Sequence, residues 1–148
     1  MISHHLVIEG CRVTVAFLLV FILSIAYQAS SKFAAIKQGV KAEKSDPSKR
    51  FNRYASDNST LIGADRIVGN YLEWAPVFLC LFWMSIYTNG QVAIIPGYVY
   101  VFFRFLYLIF GAFGGITRYG PAKFILIATI PMYAVLIYYL VKIMPHLL

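Results

Sequence analysis

The chain has 148 residues, of which 60% are hydrophobic and only 13% charged, with a mean hydropathy of +0.71 and a formal net charge of +7. Soluble domains carry about 25% charged residues, so this composition excludes an ordinary soluble domain and points to one small, all-α integral membrane domain. The basic excess borders apolar segments, which fits membrane topology and excludes a nucleic-acid surface.

The first apolar segment lies between Arg12 and Lys32 and contains the run Val15–Leu23. It has no small-residue cleavage site and reads as a retained span over about residues 7–31. Residues 32–65 follow as a polar loop, rich in turn-forming residues over 44–60. The next uncharged stretch, Trp74–Tyr87, is too short to cross a bilayer alone, because a span needs about 20 residues. The second span must therefore begin near Arg66 and include Asn70 and Glu73, giving 66–87. Asn89-Gly90 is a turn signal, so spans two and three form a tight helical hairpin. The third span covers about 92–113, with Pro96 in its first turn and Gly114-Gly115 at its end. Arg118, Tyr119, Gly120 and Pro121 make a short loop. The fourth span runs over about 122–143, with a kink expected at Pro131.

Residues 31–66 hold eight of the 13 Lys and Arg residues: Lys32, Lys37, Lys41, Lys44, Lys49, Arg50, Arg53 and Arg66. The turn at 88–91 holds none. The positive-inside rule then places the loops 32–65 and 114–123 in the cytosol and both termini on the far side. His4, His5 and His146 are scattered near the ends and define no metal site. Cys11 and Cys80 lack metal-ligand spacing and read as small buried thiols.

Glu73 and Arg104 are the charges hardest to accommodate, since ionisable groups inside a span cost several kcal/mol unless paired or hydrated (about 2.5–3.5 on insertion scales). On helix two, Arg66, Asn70 and Glu73 follow i, i+4, i+7 spacing and fall within an arc of roughly 60°. On helix three, Tyr100, Arg104, Tyr107 and Gly111 share a similar arc. The hairpin brings the start of helix two and the end of helix three to the cytosolic side, with Arg118. Arg66, Asn70, Glu73, Arg104, Tyr107 and Arg118 can then line a crevice for a small polar ligand bearing carboxylates and an amine. Arginines grip carboxylates bidentately; Glu73 accepts an ammonium group and Asn70 fixes orientation. The alternative is structural: Glu73 and Arg104 pair to hold helices together, Arg66 and Arg118 anchor helix ends, and Tyr107 packs.

The pattern Arg66-x-x-x-Asn70-x-x-Glu73-x-x-Pro76, followed by Arg104-x-x-Tyr107 and Arg118, resembles the membrane-associated proteins in eicosanoid and glutathione metabolism, the MAPEG family. The similarity covers about residues 13–141. The resemblance implies a homotrimer of four-helix subunits, with glutathione as co-substrate bound at subunit interfaces on the cytosolic side. It implies glutathione contacts from Arg66, Asn70, Glu73, Arg104 and Tyr107, and stabilisation of the glutathione thiolate by Arg118. A cation near a thiol lowers its pKa, and the thiolate is the nucleophile. The second substrate is a lipophilic small molecule arriving from the bilayer among the membrane lipids. The chain departs from the family pattern at Gly111 and Trp74, where tyrosines are common, and at the end of helix one, where Lys37 or Lys41 stands in for a basic residue.

Three functions fit this reading. The first is a glutathione-dependent membrane transferase or peroxidase acting on a lipophilic electrophile or lipid hydroperoxide, in the endoplasmic reticulum or another organelle membrane. Retention of Arg66 and Arg118 favours it. The second is a non-catalytic lipid-binding or scaffolding protein on the same fold, suggested by Gly111 and Trp74. The third is a structural subunit of a larger membrane complex.

Overall fold

The computed structural model describes residues 3–46, 58–114 and 123–147. Four helices follow in order: α1 (His4–Ser45), α2 (Ser59–Asn89), α3 (Ile94–Gly114) and α4 (Lys123–Ile143). A 3-10 turn over Gly90–Ala93 joins α2 to α3, and another over Met144–His146 follows α4. No strand occurs among the described residues. Three helical stretches are long and apolar enough to cross a membrane: His4–Ser45, Ser59–Phe113 and Phe124–His146.

The second of these stretches doubles back on itself. Asn70 meets Arg104, and the rings of Phe78 and Tyr100 stack at 4.0 Å. In one straight helix, residues 34 apart in sequence would lie about 51 Å apart. The reversal occurs at Gly90, whose φ of +63° is open to glycine without the steric cost a Cβ would bring. The hairpin expected at 88–91 is therefore present, with α2 ending at Asn89. The remaining contacts fix an up-down-up-down order. Gln28 meets Asp65 and Gly10 meets Trp83 and Ile86, so α1 runs against α2. Trp74 meets Tyr133 and Asn89 meets Lys142, so α4 runs parallel to α2.

The expected loop over 32–65 is corrected at both ends. Residues 32–45 continue α1, and 59–65 open α2 ahead of Arg66. At about 1.5 Å per residue α1 is some 63 Å long, roughly twice the hydrocarbon thickness of about 30 Å. The extension is held by tertiary contacts rather than by propensity alone. The Gln28 amide donates to Asp65 at 2.7 Å, Lys32 lies 3.9 Å from the same carboxylate, and the Asn58 amide reaches Gln38 at 3.4 Å. Ala35 and Leu61 bury between the two helices. Asn58 also caps α2, accepting from the Leu61 amide. Residues 47–57, the rest of that loop, lie outside the described residues. The fourth helix runs without a break through Pro131, and α2 likewise through Pro76.

The core is a ladder of rings. Phe17 of α1 contacts Tyr71 and Phe78 of α2, at 4.7 and 4.9 Å, and Phe78 stacks on Tyr100 of α3. Two tyrosine hydroxyls donate to main-chain carbonyls of other segments, Tyr71 to Phe17 and Tyr139 to Ala93 at 2.8 Å. At this depth there is no water to satisfy them, so each bond ties two elements together. Large apolar side chains also cover the outside, including Leu19, Ile22, Ile95 and Ile130. Helices that are apolar on both inner and outer faces suit lipid surroundings. The expectation that Cys11 and Cys80 are buried is overturned: both are exposed on the outer faces of their helices, because Val13, Phe17, Phe78 and Phe82 occupy the inward stripes.

Candidate functional site

Arg104 is the centre of the described polar constellation. It is only 2% exposed, the largest fully buried side chain among the described residues. Its Nη1 donates to the Asn70 side-chain oxygen at 2.6 Å and its Nη2 to the Asn70 main-chain carbonyl at 3.1 Å. The guanidinium lies 4.9 Å from the ring centroid of Tyr71, 5.7 Å from that of Tyr100 and 5.8 Å from that of Tyr107. Three π-faces and two oxygens thus replace the water that the charge has lost. The Nε–H remains without a partner among the described residues.

The helix-three arc read from sequence is the buried face of α3: Tyr100, Arg104, Tyr107 and Gly111 all point inward. On α2, Asn70 is half-buried while Arg66 and Glu73 are exposed on either side of it. Glu73 does not pair with Arg104; among the described residues Asn70 takes that place. An asparagine one turn before the glutamate can turn inward to α3 while the longer acid stays on the outer face. Tyr107 links the two layers. It packs against the buried Arg104 and lies within electrostatic reach of both Glu73 and Arg66. The five described residues are therefore brought together in two layers, an enclosed Arg104–Asn70–Tyr107 clamp and an outer pair of opposite charges. Arg118 lies outside the described residues.

Sequence reasoning missed two neighbours, Tyr71 and Tyr133, and noted Trp74 only as a departure from the family pattern. Tyr71 packs under Arg104 and follows Asn70 directly in the chain, but its inward direction depends on the α1 contact at Phe17. Trp74, next to Glu73, packs on Tyr133 of α4 at 4.9 Å. Tyr133 is the less foreseeable, since its only sequence signal is a hydroxyl within the otherwise apolar exposed stripe Leu126, Ile130, Ile137 and Val141. No group of His, Cys, Asp and Glu residues able to hold a metal occurs among the described residues.

Described residues that are almost all helical, with three long apolar stretches and a buried arginine held between two helices, define a helical integral membrane protein. The MAPEG family model matches residues 11–141, nearly the whole chain, and the protein belongs to that family. The family includes glutathione-dependent transferases and peroxidases as well as activating proteins, and its members generally use glutathione. No curated protein matches the chain.

Proposed function

We propose that this protein is a glutathione-dependent transferase or peroxidase of the endoplasmic reticulum or another organelle membrane. Its substrate is a lipophilic electrophile or lipid hydroperoxide, in a homotrimer of four-span subunits. The observation that carries the reading is the placement of Arg66 and Glu73, opposite charges exposed on α2 above a buried Arg104–Asn70–Tyr107 clamp, in a chain of the MAPEG family. Glutathione carries two carboxylates and an ammonium group, and that charge pattern complements an arginine and a glutamate on one face of α2, separated by about 10 Å of helix rise. Arg66 binds a carboxylate, Glu73 the ammonium, and the free Nε–H of Arg104 gives the clamp a further donor once Asn70 and Tyr107 adjust around the ligand. Arg118 supplies the cation that holds the glutathione sulfur as thiolate.

The same geometry supports the oligomer in this reading. Glu73 sits midway along α2 with Leu72 and Val77 exposed beside it. Facing lipid there, a carboxylate would cost about 2.5–3.5 kcal/mol on insertion scales. A second copy packed over this face removes that cost and closes the site, leaving the apolar stripe of α4 open to a substrate from the bilayer.

Calorimetric titration of the purified protein with glutathione tests the reading, with Arg66→Ala and Glu73→Gln alongside wild type. Saturable binding that weakens at least tenfold in both variants supports it. A wild type that binds no glutathione sinks it and moves the protein to the non-catalytic, lipid-binding reading, which the enclosure of Arg104 within one subunit then favours.

A further inference from the structure

A separate groove runs from the middle of the bundle towards the end opposite Arg66. Between α3 and α4 runs an apolar groove of about 330 Å³, walled by Ile95, Pro96 and Val99 on one side and by Pro131, Ala134 and Tyr138 on the other. It stays open because Ala134 is small and the two prolines carry short, rigid rings where longer side chains would meet across the gap. Its lining is almost wholly apolar.

Lys142 stands one turn beyond Tyr138, with its Nζ 5.9 Å from the Tyr138 ring centroid. Among the described residues no carboxylate pairs with it. The Asn89 amide donates to the Lys142 carbonyl at 3.3 Å, which pins this end of α4 to the α2–α3 turn and fixes where the cation stands. From Pro131 to Lys142 the helix rises about 16 Å, close to one leaflet of a hydrocarbon core about 30 Å thick. The groove thus begins near mid-membrane and ends at a cation at the water boundary. Trp74 and Tyr133 share a depth, Arg66 lies about 12 Å towards one end and Lys142 about 13 Å towards the other, so the two cations are roughly 25 Å apart along the bundle.

We propose that this groove holds one acyl chain of an anionic phospholipid of the adjoining leaflet, with the phosphate-bearing headgroup against Lys142. Depth, apolar lining and a single cation at the rim match the three parts of such a lipid. A zwitterionic lipid fits the groove equally well but gains less from Lys142. One lysine near a membrane surface contributes about 1 kcal/mol, equivalent to about a fivefold preference for the anionic headgroup.

Native mass spectrometry of the full chain in mild detergent tests this, with dioleoyl phosphatidylglycerol, dioleoyl phosphatidylcholine and oleate as probes. Wild type retains one phosphatidylglycerol per chain, about fivefold over phosphatidylcholine. In Lys142→Gln the two phospholipids are retained equally. Groove filling, by Ala134→Phe from α4 or Val99→Phe from α3, removes retention of both, and two variants on opposite walls guard against one failing to fold. Three results would overturn the proposal: no headgroup preference in wild type, an unchanged preference in Lys142→Gln, or undiminished phosphatidylglycerol in both filled variants. Retention of oleate in place of either phospholipid would also overturn it, because the ligand would then be a free fatty acid.

Discussion

Replacing Asn70 with leucine strips Arg104 of its closest acceptor while nearly conserving volume. The 2.6 Å bond to the side-chain oxygen is lost, and the 3.1 Å bond to the main-chain carbonyl survives. Two magnitudes compete. An ordinary interhelical hydrogen bond in a membrane averages about 0.6 kcal/mol. Removing one partner of a buried charge costs about 3–5 kcal/mol, because the charge remains and its compensation does not. Arg104 is 2% exposed and already has one unpartnered N–H, so the second case applies. The surviving carbonyl bond and the rings of Tyr71, Tyr100 and Tyr107 bring the expected loss down to about 2–3 kcal/mol. Arg104→Met in the same background removes the charge itself, and Asn70→Leu/Arg104→Met returns to within about 1 kcal/mol of wild type. Reversible unfolding in mixed micelles, titrated with sodium dodecyl sulfate and followed by circular dichroism, gives all the corners of the cycle. A loss below about 1 kcal/mol for Asn70→Leu would mean that Arg104 reaches water. A double variant no more stable than the sum of the single changes would refute the clamp.

Gly97→Ala would place a Cβ 2.7 Å from Phe82 Cε2 and 3.0 Å from Val13 Cγ1. The expected loss is about 1–3 kcal/mol from overpacking where α1, α2 and α3 meet, read as a lowered midpoint in the same titration. Tyr139→Phe removes the donor to the Ala93 carbonyl and should cost about 1 kcal/mol; an unchanged midpoint would show that α4 is not tied to the α2–α3 turn there. Tyr133→Ala removes the ring that packs on Trp74. It should leave glutathione affinity within about twofold, a change under 0.5 kcal/mol, while raising KM for a lipophilic electrophile severalfold. Equal loss of both would place Tyr133 among the glutathione contacts instead.

How much of this was legible beforehand differs from element to element. The hairpin was fully legible, because Asn89-Gly90 between two apolar runs is a local signal and only glycine accepts the backbone angle found there at no steric cost. The helical extension of α1 past Lys32 was not. Its polar residues resemble a loop, and they stay helical beside α2, where Asp65 holds Gln28 and Lys32 at the base of the extension and Asn58 reaches Gln38 within it. Those partners lie 20 or more residues away in sequence.

The candidate site divides in the same way. Spacing on α2 and α3 was enough to gather Arg66, Asn70, Glu73, Arg104 and Tyr107, because helical periodicity is a property of the chain itself. Which of them faces inward depended on the relative rotation of α2 and α3, and periodicity carries no information about that. Hence Glu73 and Arg104 were open to pairing on paper, while in the fold Asn70 meets Arg104 and Glu73 stays outside. Tyr133, from a helix with no motif, joins only through its contact with Trp74. The sequence by itself determined a membrane chain, the turn between α2 and α3 and the inventory of charges, all set by composition and local geometry. Only tertiary packing decided which charge is enclosed and which stays exposed, because that choice depends on contacts between helices far apart in the chain.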